Sequence, residues 1–474
     1  MRELTVVSGT LASPPRLGRT SIALVSILLV NCGGGNDNHG ASTEAVGGRG
    51  GATGSTGGTS SSAGGTSSST LRTGGTTGVA GATSASGGAR GTGGSPGTLS
   101  NVLDVVVDQG PANVGYVNGL FANVTICEPG TSNCQSIDHV IVDTGSFGLR
   151  VLESLVTLSL PAVKNSSGNP LGECTQFVSG TAWGPIVRAD VKMAGETATS
   201  IPIQLIGENA YPMPNASACS GTALNDISSL GSNGILGIGV HQQDCGTACA
   251  VANGNPGIYM ACTSSQSGGC KSTVVTLDSQ VTNPIVGFPL DKNGLIIQLP
   301  SVPDQGSSLV SGKLVFGIGT QTNNDLGSAK MFTPVDDYDN IGTTFPAGGT
   351  EYTGFLDSGS NAIYFLNSAK SGLAECSSNL SAFYCPSSTT SLGASIFGGN
   401  GSSTDIHFNV ANATQLKGSM CAFNNLAGPM PGFPASDPGS VDYLWGLAFF
   451  FGRNIYVAIE QQNTPSGQGP YVAF

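Results

Sequence analysis

The chain has 474 residues, of which only 10% are charged and 72 are glycine, with a formal net charge of −12 at neutral pH. That length suffices for one large bilobal domain or for two or three smaller ones. An acidic chain without clustered Lys and Arg excludes a nucleic-acid backbone as partner; beyond that, the charge speaks to solubility and not to fold.

Taken in order, the N-terminus reads as an export signal over residues 1–32. Arg2, Arg16 and Arg19 precede the apolar run from Ile22 to Val30, which is too short to span a bilayer comfortably. The run leads into Leu29-Val30-Asn31-Cys32-Gly33. This resembles a bacterial lipobox with Cys32 as the lipid-attachment residue, although Asn31 stands where a small residue is usual. A plain cleaved signal or an uncleaved anchor is the other reading. The expected location is the bacterial cell envelope, held to a membrane through the lipid. Residues 33–98 are almost wholly Gly, Ser, Thr and Ala. Such a segment cannot bury a core and is expected to be a disordered tether, with a reach of roughly 40–50 Å if it behaves as a Gly-rich coil.

Order is expected from about Asn101. Val102–Val107, Gly119–Ile126 and Asp138–Val142 read as strands, and later segments repeat this style of short Val/Ile/Leu runs broken by Gly, Asn, Asp and Pro. Helical periodicity is scarce, so the fold class is mainly β. The apolar run Val140-Ile141-Val142 ends in Asp143-Thr144-Gly145-Ser146, and Gly354-Phe355-Leu356 ends in Asp357-Ser358-Gly359-Ser360. Some ninety residues beyond each aspartate comes an apolar strand ending in glycine, Gly234-Ile235-Leu236-Gly237 and Leu444-Trp445-Gly446. Self-similarity on this scale implies duplicated lobes, here residues 99–285 and 286–474.

A repeated aspartate carries a specific chemistry. Two carboxyls about 3 Å apart cannot both ionise readily, so they share a proton and titrate as a pair. The ionised member can then activate a water while the other protonates a carbonyl oxygen. Gly145 and Gly359 permit tight turns.

Twelve cysteines in an exported chain imply disulfides. Spacing suggests Cys127/Cys134, Cys245/Cys249, Cys262/Cys270 and Cys376/Cys385, with Cys174, Cys219 and Cys421 further apart. If Cys32 is lipidated, an odd number remains and one thiol should be unpaired. Cys245 and Cys249 have ligand-like spacing but no evident partner pair, so no metal is expected. The histidines, His39, His139, His241 and His407, form no zinc-binding helix pair, and His139 reads as a strand residue. Neither a nucleophile elbow in the folded region nor a phosphate-binding loop with Lys occurs.

Over about residues 101–474, in matching order, the chain resembles a pepsin-like aspartic peptidase. Val140–Ser146 and Phe355–Ser360 resemble the two catalytic turns, and Gly234–Gly237 the strand crossing behind the first. Gly312-Lys313-Leu314-Val315-Phe316-Gly317 is similar to an early strand of the second lobe. Leu444–Gly446 with Asn454–Glu460 resembles the C-terminal strand and its return. The chain also resembles a group of bacterial lipoproteins with a glycine-rich tether.

The resemblance implies a bilobal pepsin-like double β-barrel with a central cleft, and Asp143 and Asp357 as the catalytic pair. It further implies that Thr144 and Ser358 lock the turns together, that Ser146 and Ser360 hold the outer carboxylate oxygens, and that no cofactor is needed. The partner would be a peptide or protein, and the protein a monomer. The expected function is an exported aspartic endopeptidase; the alternative is a catalytically silent pepsin-like binding domain. Departures from the pattern are local. The hairpin Gln176–Gly184 offers Phe177 or Trp183 where the family has a flap tyrosine, core packing being the other reading of both. Arg150 replaces an aromatic after the first turn, and Leu447 stands where an Asp is common.

Overall fold

The structure is a computed structural model and describes residues 101–263, 269–430 and 441–474. The expected signal, Cys32 and the tether at 33–98 lie outside the described residues. The described residues fall within one compact unit.

The architecture is mainly β. Strands β1 (Val102–Val107), β2 (Leu120–Cys127), β3 (Cys134–Asp143), β4 (Phe147–Leu152), β5 (Leu171–Phe177), β6 (Gly180–Met193), β7 (Glu196–Ile206) and β8 (Gly234–Ile238) come first. In the order β2-β3-β8-β4-β7-β6, with β6 returning to β2, six of them close a barrel. Period-2 alternation builds its interior: Leu120, Ala122, Val124 and Ile126 of β2 point into the same buried cluster as Leu149 and Val151 of β4 and Val187, Ala189 and Val191 of β6. The intervening Phe121, Ile141 and Ile235 pack on the outer side. Closure removes the free strand edges.

The sheet does not end at the barrel. A short pair, β9 (Tyr259–Cys262) and β10 (Cys270–Ser272), flanks β5, while β11 (Gly294–Gln298) and β12 (Val310–Phe316) join through β1. At the expected division, 285/286, the chain turns through Pro284–Gly287, and the same sheet takes up strands from both sides.

After β13 (Met331–Phe332), a second sheet forms a half-barrel. It comprises β14 (Ile341–Phe345), β15 (Thr350–Asp357), β16 (Ile363–Phe365), β17 (Thr390–Phe397), β18 (Ser403–Val410), β19 (Ala427–Gly428) and β20 (Tyr443–Gly446), ordered β18-β17-β14-β15-β20-β16-β19. One face is an aromatic core: Phe365 stacks on Tyr443 at 5.3 Å, Tyr443 on Trp445 at 5.4 Å, and Phe408 meets Trp445 edge-on at 5.6 Å. The Trp445 indole N–H donates to Thr343 at 3.1 Å, so its polar atom is satisfied in the core. The chain then returns to the large sheet through β21 (Asn454–Ala458), which pairs with β11.

Five disulfides join described residues. Cys127–Cys134, Cys245–Cys249, Cys262–Cys270 and Cys376–Cys385 are the pairs that spacing suggested, and Cys174–Cys219 is the fifth. No described cysteine is free; the unpaired thiol was expected only on lipidation of Cys32, which lies outside the described residues. No helix among the described residues is long and apolar enough to cross a membrane.

Candidate functional site

The two aspartates end strands of the same construction. β3 runs parallel to β8 with Asp143 opposite Gly237, and β15 runs parallel to β20 with Asp357 opposite Gly446. In each case the strand following the aspartate turn, β4 or β16, comes back antiparallel across that same neighbour. The glycines are required by this crossing. A Cβ on Gly237 would lie 2.5 Å from the Phe147 nitrogen, and one on Gly446 2.0 Å from the Ala362 carbonyl oxygen.

The turns meet and exchange hydrogen bonds. The Thr144 hydroxyl donates to the Leu356 carbonyl at 2.9 Å and accepts from the Ser358 N–H at 2.9 Å. Reciprocally, the Ser358 hydroxyl donates to the Val142 carbonyl at 2.7 Å and accepts from the Thr144 N–H at 3.1 Å. Each buried hydroxyl therefore satisfies one backbone donor and one acceptor across the junction. Thr144→Val keeps the shape but leaves the Leu356 carbonyl and Ser358 N–H unpaired. It is expected to lower unfolding stability by about 2–3 kcal/mol, measured by denaturant titration.

Within each turn the carboxyl is held twice. Gly145 N–H donates to Asp143 Oδ1 at 2.8 Å and Ser146 Oγ donates to Oδ2. Gly359 N–H donates to Asp357 Oδ1 at 3.0 Å, and Ser360 Oγ to its Oδ2. The two carboxyls also hydrogen-bond to one another, with Asp357 as donor and Asp143 as acceptor. Both residues are 0% exposed.

Burial pushes Asp143 up to about 6, against the lowering effect of its bonds from Ser146 and Gly145. Burial raises Asp357 well above the usual range too, and the neighbouring Asp143 charge raises it further. Asp143 is thus the member that ionises first while Asp357 retains the proton.

This has a consequence for stability. Between the ordinary carboxylate range near 4 and its folded value of about 6, Asp143 holds a proton that the unfolded chain has lost, so stability falls as pH rises through that window. A two-unit displacement corresponds to about 2–3 kcal/mol. The denaturation midpoint of the wild type is therefore expected to be higher at pH 4 than at pH 7. A midpoint that rises across the same interval would contradict the protonated pair.

The groups around the pair carry no motif in the sequence. Asn118, at φ 53° and fully buried, reaches across from the β1–β2 connection. Its Nδ2 donates to the carbonyls of Asn361 (2.7 Å) and Phe423 (2.9 Å), and its Oδ1 accepts from Phe423 N–H at 2.7 Å. Asn361 directly follows Ser360, so this latch also holds the second aspartate turn. Tyr364, near Tyr116 and Asp357, stays protonated through burial and those neighbours, and its hydroxyl donates to Asn361 Oδ1 at 2.7 Å.

The hairpin of β5 and β6 turns at Val178-Ser179, with Phe177 opposite Gly180. Phe177 packs in the cluster of Tyr116, Phe121 and Ile141, and Val178 against the cluster of Phe355, Tyr364 and Leu444 in the half-barrel. Trp183 is not at the hairpin tip. It packs on Cys174, Cys219 and Met260, and its indole N–H donates to the Tyr211 carbonyl at 2.9 Å.

Arg150 is fully buried in β4. Its Nη1 donates to the Phe147 carbonyl (2.6 Å), Nε to Thr175 Oγ1 (3.0 Å), and Nη2 to Glu173 Oε1 (2.9 Å) and Asp244 Oδ2 (2.8 Å). Tyr259 donates its hydroxyl to Asp244 Oδ1 at 2.7 Å. Burial and the adjacent Glu173 raise Asp244 well above the usual range, so it keeps its proton and donates it to Glu173. Burial works to raise Glu173 as well, but Arg150 and its hydrogen bonds hold it low. The cluster then balances as one guanidinium against one carboxylate. The sequence signal was a lone Arg in the otherwise apolar strand Phe147–Leu152, which demands buried acids somewhere; their identity was not readable.

Among the described residues, no cluster of three or more His, Cys, Asp or Glu could hold a metal ion. What the site can do chemically is acid–base work on one proton shared by two carboxyls.

Residues 97–474 match the family described as "Protein of unknown function (DUF3443)", and the chain belongs to that family. No curated protein matches it.

Proposed function

We propose that the protein is an exported aspartic endopeptidase, a bilobal pepsin-like domain whose cleft lies between the barrel and the half-barrel. The observation that carries this reading is the pair of cross-bonded turns bearing two buried carboxyls that share one proton. In the mechanism, ionised Asp143 takes a proton from a water, which attacks the scissile carbonyl carbon, while Asp357 gives its proton to the carbonyl oxygen. Collapse of the resulting diol returns a proton to the leaving amine. Gly145, Ser146, Gly359 and Ser360 orient the carboxyls, and Thr144 and Ser358 keep the turns in register. Five disulfides support an oxidising, exported setting, and lipid attachment at Cys32 would place the domain at the cell envelope. The test is digestion of a peptide library between about pH 3 and 9, with cleavage expected to appear as pH rises through the value of about 6 at which Asp143 ionises.

One observation favours a second reading, a catalytically silent binding domain. Both carboxyls are fully buried, the Asn118 latch ties down the residue next to Ser360, and Phe177 brings no hydroxyl to the hairpin tip. Under this reading no cleavage occurs at any pH, yet peptides from the same library bind saturably.

A further inference from the structure

Apart from the paired turns, the half-barrel contains a cavity of about 250 Å³ whose lining includes Ile363, Phe408, Asn424, Phe449, Phe451 and Arg453. Its lining combines the buried rings of Phe408, Phe449 and Phe451 with the polar Ser391, His407 and Asn409, and no carboxylate is among its lining residues. Arg453 is the one permanently charged group there. Its guanidinium lies 4.3 Å from the Phe449 ring centre, and Nη1 donates to the carbonyls of Phe449 (2.6 Å) and Phe451 (3.4 Å). Nε and Nη2 have no acceptor, and the side chain has no acidic partner, among the described residues. Burial depresses this guanidinium with no nearby carboxylate to offset it.

A second polar group at the cavity is also incomplete. Asn424 Nδ2 donates to the Val302 carbonyl at 3.1 Å, but Asn424 Oδ1 is buried without a donor. Buried charges and buried acceptors are ordinarily matched. Here a half-buried guanidinium with donors to spare and an asparagine whose acceptor lacks an N–H or O–H line the same cavity.

We infer that this cavity binds the carboxylate of an N-acylated apolar amino acid, free or at the end of a peptide. The planar guanidinium takes a carboxylate through two parallel N–H bonds. The adjoining amide N–H supplies the donor that Asn424 Oδ1 lacks, and the side chain lies against Phe408, Phe451 and Ile363. A single permanent cation suits a monoanion; a phosphate dianion would be left under-compensated. Such a site functions whether or not Asp143 and Asp357 cleave peptides.

Calorimetric titration of the full chain tests this with N-acetyl-L-leucine, N-acetyl-L-leucinamide, the tripeptide Ala-Ala-Leu and inorganic phosphate. Saturable one-to-one binding of the acid is expected, with the uncharged amide at least ~10-fold weaker. Arg453→Gln is expected to weaken the acid by a similar factor and Asn424→Ala by ~3–10-fold. Equal binding of tripeptide and acetylated acid points to the terminal residue alone, and tighter binding of the tripeptide to a peptide end. Equal affinity for acid and amide, preference for phosphate, unchanged binding in Arg453→Gln, or no saturation by about 10 mM would each overturn the assignment. The acid–amide comparison uses the wild type, so it decides the question even if Arg453→Gln fails to fold.

Discussion

Asp143→Asn and Asp357→Asn are each expected to reduce peptide cleavage by at least ~10³-fold, to the level of background hydrolysis. Asn is close in size and its amide oxygen can still accept the N–H of Gly145 or Gly359, so the turns should survive. What disappears is the shared proton. With Asn at 143 no base remains to activate water; with Asn at 357 no acid remains to protonate the carbonyl oxygen. The measurement is the initial rate on the best substrate from the library at its optimum, with circular dichroism to establish folding. If the wild type cleaves and either folded variant cleaves equally well, the dyad is not the catalyst. The wild-type profile should also rise as pH rises through the value of about 6 at Asp143, because ionisation there creates the one-proton state on which both roles depend, and fall only where Asp357, held well above the usual range, loses its proton.

Arg150→Met is expected to cost about 3–5 kcal/mol of stability, the largest effect of any single change outside the dyad turns. The substitution leaves Glu173 ionised and fully buried without its cation, and removes the donors to Thr175 and to the Phe147 carbonyl. It acts on the site as well as the core. Phe147 follows Asp143-Thr144-Gly145-Ser146 directly, and Thr175 lies on the strand rising to the hairpin tip at Phe177. The triple change Arg150→Met, Glu173→Gln, Asp244→Asn removes both charges together and is expected to recover more than half of the loss, as buried ion clusters replaced by neutral groups generally do. Denaturant midpoints of the three proteins decide it. A single variant within ~1 kcal/mol of wild type would show the cluster to be dispensable.

Much of the site was legible because its chemistry is local. Each aspartate turn is a contiguous Asp-Thr/Ser-Gly-Ser after an apolar strand, and a strand partner ending in glycine lies at a similar distance downstream of each. The short-range disulfides were legible for the same reason, whereas Cys174–Cys219 spans 45 residues and no local spacing marks it. The hairpin was found, but its aromatics were not separable from sequence. Phe177 and Trp183 lie six residues apart in one mixed apolar and polar segment, and only the pairing of 177 with 180 assigns one to the tip and the other to the disulfide cluster. Asn118 gave no signal at all. Asn-Gly reads as a turn wherever it occurs, and nothing local says that this side chain will bond to residues more than two hundred positions away.

The amino-acid order alone thus settled a mainly β fold, two equivalent aspartate turns and the need for glycine behind each, because strand period, turn chemistry and close backbone approach are written in neighbouring residues. Only the tertiary structure decided that the barrel closes through β2 and β6, that Thr144 and Ser358 bond across to each other's strands, and that Arg150 is neutralised by Glu173 beside a protonated Asp244. These depend on long-range pairing and on the removal of water, which raises carboxyl pKa values and makes an unpartnered charge expensive. Neither acts until the chain has folded.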